Sequence, residues 1–165
     1  HGQSTWTEDE NYIFNSMVKV LNIQLREAMR EYKGGVYGVA VNGAFAQRPK
    51  NAYGINIQFN TEPARVDELI KTVYDNIDSL KTNLVTEEKI KKVQETQRRE
   101  RETDVKENDF WLGTIQYYDE YGKDIHTLDD YYKQIDGLTA QKIKDAFKKY
   151  FDISNHIEVV LEPEK

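Results

Sequence analysis

Three histidines, His1, His126 and His156, are the first candidates for hydrolytic metal chemistry in this 165-residue sequence. A catalytic zinc takes about three protein ligands, with a carboxylate placed to activate water. No two of these histidines stand four residues apart, so neither HExxH nor its inverse HxxEH is present. Surface or structural roles suit all three better than metal ligation. The absence of cysteine excludes thiol catalysis, cysteine-ligated zinc and iron–sulfur clusters. Ser4, Ser16, Ser79 and Ser154 lack a nucleophile-elbow context, and no glycine-rich phosphate loop occurs. The run Gly34-Gly35-Val36-Tyr37-Gly38 is too short for a dinucleotide fingerprint and follows a helical pattern rather than a strand. On its own chemistry the chain is not a complete enzyme.

The pattern of apolar residues says which elements would carry any site. Thr7-Glu8-Asp9-Glu10 is a capping box: the Thr7 hydroxyl accepts from the third helical N–H, and Glu10 reaches back to the cap. Phe14, Met17, Val18, Leu21, Leu25 and Met29 then recur at three- and four-residue spacings, the stripe of an amphipathic helix that Gly34-Gly35 ends. From Val36 the period becomes two, through Tyr37, Val39 and Val41. Tyr53, Ile55, Ile57 and Phe59 repeat it after a polar connection at 47–51. This predicts an antiparallel hairpin packed on one face, with a slim first strand suited to close approach by another element. Pro63 opens a helix with Val66, Leu69, Ile70, Val73, Ile77 and Leu80 on its stripe. Another helix follows Thr86 and breaks near Asn108.

Phe110, Trp111, Leu112, Ile115, Tyr118 and Tyr121 form an aromatic cluster read as core packing, closed by Gly122. Short helices around Leu128–Ile135 and Ala140–Tyr150 follow, and Ile157, Val159 and Leu161 predict a last strand. The order α-β-β-α-α-α-α-β has no parallel βαβ unit, so the fold class is α+β: an antiparallel sheet with helices on one face. No repeat or linker marks an internal boundary, and one domain spanning 1–165 is expected.

A net charge of −6 argues against a broad nucleic-acid footprint. Arg98, Arg99 and Arg101 interleave with Glu95, Glu100 and Glu102, as on a solvated, ion-paired helix face. No apolar run approaches the ~20 residues of a membrane span, and no leader pattern opens the sequence.

The segment Leu25–Val39, LREAMREYKGGVYGV, is specific. It resembles the second-half motif of the pitrilysin/insulinase family of zinc peptidases: a helix ending in Arg-Glu, a glycine turn, then Tyr entering a strand seven positions after the Arg. Arg30 and Tyr37 have that spacing; Arg26, eleven positions before Tyr37, fits less well. The Tyr53–Phe59 strand, Glu62-Pro63, Lys106-Glu107-Asn108 before Phe110-Trp111-Leu112, and Val159-Val160-Leu161-Glu162-Pro163 extend the resemblance over nearly the whole chain, closest to bacterial members.

The resemblance implies a metallohydrolase domain like those of pitrilysin and mitochondrial processing peptidase, without its first strand and part of a longer chain. It would be the C-terminal, non-zinc domain of a metalloendopeptidase. The HxxEH motif and the zinc would lie in N-terminal domains of the same or a partner chain, with no cofactor in this one. Arg30 and Tyr37 would bind peptide substrate, Tyr37 as the catalytic contact to the carbonyl oxygen. Hydrolysis builds negative charge on that oxygen, which a phenol or guanidinium in a closed chamber stabilises. On residue chemistry alone, Arg30 is equally a cation favoured by a helix C-terminus and Tyr37 a packed strand residue. The missing strand implies an open sheet edge and self-association through it. A structural, core-type subunit of the same fold, without activity, is the rival assignment.

Overall fold

The computed structural model describes residues 1–31 and 36–161, and for 31, 36 and 37 the backbone alone. The elements are α1 (Glu8–Glu31), β1 (Val36–Ala46), β2 (Ala52–Thr61), a 3-10 turn (Pro63–Arg65), α2 (Val66–Thr82), α3 (Glu87–Asp104), α4 (Asn108–Glu120), a second 3-10 turn (Ile125–Asp129), α5 (Asp130–Asp136) and α6 (Ala140–Tyr150). This is the expected α+β class. The glycine turn at 34–35 and the closing Glu162-Pro163 lie outside the described residues. Two compact units divide the chain: His1–Val85 with the residues from Ala140 onward, and Thr86–Thr139.

In the first unit β1 and β2 form an antiparallel sheet, with α1 against β1 and with α1, α2 and α6 packed together. The helical stripe read from the sequence is the core: Phe14, Met17, Leu21 and Leu25 are fully buried, as are Leu69 of α2 and Ile143 and Phe147 of α6. Val39 and Val41 are buried on one sheet face, while Asn42, Asn56 and Gln58 are exposed on the other. Alternation along the strands therefore does what period two requires. Gly43 is where α1 comes closest. A Cβ there would stand 2.6 Å from Val18 Cγ2 and 2.8 Å from Phe14 Cε1, so only glycine admits the helix.

Phe14 also sits among rings. Its centroid lies 5.2 Å from Phe45, 5.9 Å from Tyr53 and 5.2 Å from Tyr150, the last two edge-on, as ring quadrupoles prefer. The Tyr150 hydroxyl donates to the Glu10 carboxylate, which Lys149 Nζ meets at 2.9 Å. Half of the predicted capping box forms: the Glu10 N–H donates to Thr7 Oγ1 at 3.1 Å. The Glu10 carboxylate turns to α6 instead of the cap, because an ammonium and a phenol outbid one backbone N–H.

The expected strand at 157–161 does not form: these residues carry no ladder, and Ile157, Val159 and Leu161 are 81%, 74% and 92% exposed. Extended chain becomes strand only against a partner. The free edge of β2 holds one bridge, Gly2 with Tyr53, through Gly2 N–H to Tyr53 O at 3.0 Å and Tyr53 N–H to Gly2 O at 2.9 Å. Asn155 Nδ2 donates to the His1 carbonyl at 2.6 Å.

In the second unit Thr86 caps α3, accepting from the Lys89 N–H at 3.4 Å, and Ile90, Val93 and Gln97 are buried. Gln94 Nε2 donates to the Ile135 carbonyl at 2.7 Å, and Arg98 pairs with Asp136. Arg101 lies 5.0 Å from the Phe110 ring centre and 4.1 Å from that of Tyr131. The break before Asn108 falls as expected, with Trp111 Nε1 donating to the Val105 carbonyl at 2.8 Å. Core packing of the aromatic run does not hold: α4 buries no residue, and Leu112 and Ile115 are 69% and 58% exposed. Helical spacing puts such residues on a face but does not supply what covers it. Among the described residues no helix is long and apolar enough to cross a membrane.

Gly43→Ala should cost about 1–3 kcal/mol by overpacking the α1–β1 contact. Gly54→Ala, where an added Cβ meets nothing within 4 Å, should cost little. Urea midpoints of the two variants test the contrast. Burial pushes the Glu10 carboxyl up, but hydrogen bonds from Lys149 and Tyr150, with the Lys149 charge, outweigh it and leave the group below its ordinary 4.5. Its contribution is therefore complete above pH 4.5 and drains as pH falls through the lowered value. The wild type should exceed Glu10→Gln by about 1 kcal/mol at pH 7, discounted for partial exposure, and the gap should close in acid.

Candidate functional site

Arg30 and Tyr37 fall at one end of the first unit, where α1 finishes and β1 begins. Met29 is the last buried residue of the α1 stripe, and Arg30 follows it onto the surface in the final helical turn. A cation there complements the partial negative charge of unsatisfied carbonyls, worth about 0.3–1 kcal/mol at an exposed site. Tyr37 lies in β1, as its place in the sequence pattern predicts, and its side chain is outside the described residues.

The backbone around Tyr37 is irregular in a way the sequence reading missed. From Ala46↔Ala52 back to Gly38↔Asn60 the two strands pair residue for residue; the next pair is Val36↔Thr61. One residue of β1, Tyr37, is thus surplus to the ladder, which makes this a β-bulge. Gly38 closes the bulge with φ +152°, a conformation L side chains rarely adopt. An isolated glycine inside a strand pattern was the available signal for it. Opposite Val36, the Thr61 hydroxyl oxygen is buried with no hydrogen-bond partner among the described residues. Thr61 leads into Glu62 and the 3-10 turn from Pro63, where Arg65 Nε meets Glu68 Oε2 at 3.4 Å.

The histidines do not assemble. His1 is tied through its backbone to Asn155, and His126 is exposed in a 3-10 turn where its N–H donates to Asp124. His156 holds the Ile153 carbonyl at 2.5 Å through Nδ1 and lies edge-on to Tyr74, 5.8 Å between centroids. Among the described residues no three His, Asp or Glu side chains are grouped to hold a metal ion, so the residues present do not fit a zinc site. At this end of the first unit the structure places an exposed arginine in the last turn of α1 and the backbone of Tyr37 in β1.

No family model matches the sequence, and no curated protein does. Solved structures are similar to it. The periplasmic protease PqqL from Escherichia coli aligns with a TM-score of 0.72 at 16% identity, over 90% of this chain and 16% of its own. A protease from Helicobacter pylori aligns with a TM-score of 0.73 at 14% identity, over 91% of this chain and 36% of its own. A peptidase M16 inactive domain from Pseudomonas fluorescens aligns with a TM-score of 0.68 at 19% identity, over 92% of this chain and 36% of its own. This chain therefore shares an α+β fold found within these peptidase chains, and spans between about a sixth and somewhat over a third of their length.

Replacing the orphaned Thr61 hydroxyl with a methyl, Thr61→Val, should leave stability unchanged or raise it by up to about 1 kcal/mol, because an unpaired buried oxygen contributes only its desolvation penalty. A fall in the urea midpoint would show that the hydroxyl has a partner.

Proposed function

We propose that this chain is the C-terminal, substrate-contacting domain of a bacterial zinc metalloendopeptidase of the pitrilysin/insulinase type, working beside domains that carry HxxEH. The observation that carries the proposal is the placement of Arg30 and Tyr37 at the junction of α1 and β1, on a fold shared with peptidase chains of which it spans only a part. In this reading Arg30 aligns the peptide backbone through its planar donors. Tyr37 donates its hydroxyl to the carbonyl oxygen as negative charge develops. The zinc belongs to the other domains, and the chain alone neither holds it tightly nor cleaves peptides.

Kinetics on the zinc-bearing parent protein test this. Tyr37→Phe removes one transition-state contact and keeps the ring, so kcat should fall about 10- to 1000-fold with zinc content unchanged. Arg30→Ala should impair both KM and kcat, and lysine should rescue poorly. Wild-type kcat/KM in both variants, or losses that merely follow melting temperature, would leave Arg30 a helix-end cation and Tyr37 a strand residue.

The Pseudomonas fluorescens match, described as an inactive domain, favours a second reading: a structural subunit of the same fold. The full-length reading frame and its neighbours decide between the two, since HxxEH in either supports the peptidase and its absence from both supports the subunit. For the isolated chain we propose association through the free edge of β2, which among the described residues carries only the Gly2 bridge. Sedimentation should show oligomers growing with concentration, and a strict monomer at millimolar concentration would refute it.

A further inference from the structure

We infer that Gly38 is a positioning residue: the bulge it closes holds Tyr37 out of the regular β1–β2 ladder and thereby sets it for substrate. The inference rests on the reading of Tyr37 as a substrate contact and adds what places it. Val39 and Val41 are buried on the sheet face that meets α1 and pair with Phe59 and Ile57. Unbroken alternation would give Tyr37 the next station on that same face, opposite Thr61. The observed register pairs Val36 with Thr61 instead. The register thus takes the backbone of position 37 out of the ladder, and bulges of this kind recur beside active sites.

Glycine is required here by backbone conformation and not by crowding. A Cβ at position 38 would meet nothing within 4 Å, yet φ is +152°. An L-alanine at 38 is therefore relieved by returning the chain to ordinary extended geometry, which drives Tyr37 back into register with Thr61. A D-alanine, whose preferred φ is positive, keeps the bulge.

The test has two arms. In the 165-residue chain, nuclear Overhauser contacts between Val36 and Thr61 and between Gly38 and Asn60 report the register. Gly38→Ala should lose the first, and D-alanine at 38 should keep both. The D-residue can be introduced by ligating 1–39 to 40–165 at a temporary cysteine in place of Ala40, since the sequence has no other cysteine. In the zinc-bearing parent, Gly38→Ala should lower kcat about 10-fold or more with KM little changed, at a temperature where every variant is folded. Combined with Tyr37→Phe it should cost no more than Tyr37→Phe alone, because both changes remove one contact. An unmoved register, a silent Gly38→Ala or additive losses in the double variant would overturn the inference. A silent Tyr37→Phe is a separate failure, of the substrate-contact reading itself.

Discussion

The first unit depends on α1 lying directly on β1, and that contact depends on one missing methyl. At Gly43 the strand offers no side chain, so Phe14 and Val18 descend to the backbone and Phe14 reaches the rings of Phe45, Tyr53 and Tyr150. One phenylalanine thereby joins the hairpin, α1 and α6. Glu10 adds a polar clasp between the same two helices, through Lys149 and Tyr150. With the N-terminal half of α1 fixed in this way and Leu21, Leu25 and Met29 buried further along, the helix is gripped almost to its end. Arg30 follows directly on Met29, the last of these buried residues.

Much of this architecture was legible because it follows from period alone. The α1 stripe repeats through six residues and the alternation at Val39 and Val41 continues across the hairpin, so both elements and their buried faces could be read directly. Legibility fails where a property belongs to two segments at once. Ile157, Val159 and Leu161 alternate as a strand should, but a ladder needs an opposite strand and they have none among the described residues. Leu112 and Ile115 have helical spacing without a covering surface. Glu10 has the spacing of a capping box, but its side chain answers to Lys149 and Tyr150, over a hundred residues away.

The site divides along the same line. Arg30 and Tyr37 could be singled out only because their seven-residue separation resembles a family motif, since an arginine closing a helix and a tyrosine opening a strand are common singly. The bulge was no more than hinted at by Gly38, because register is a relation between strands: a glycine marks where the chain can depart from the ladder, and the pairing of Asn60 and Thr61 with Gly38 and Val36 decides that it does. The tyrosine was visible as chemistry, and its setting became visible only when β2 was laid beside it.

The second unit is one uninterrupted stretch, Thr86–Thr139, whereas the first is assembled from both sides of it. During synthesis α3, α4 and α5 can find one another as soon as they emerge. The hydroxyl of Tyr150 must appear before Glu10 has its partner, and Phe14 waits for the same ring. Closing a contact across 140 residues carries a loop-entropy cost that local pairs escape. The segments of the first unit that are made earlier are therefore locked only when its last helix arrives, and until then the apolar stripe of α1 lacks its α6 cover.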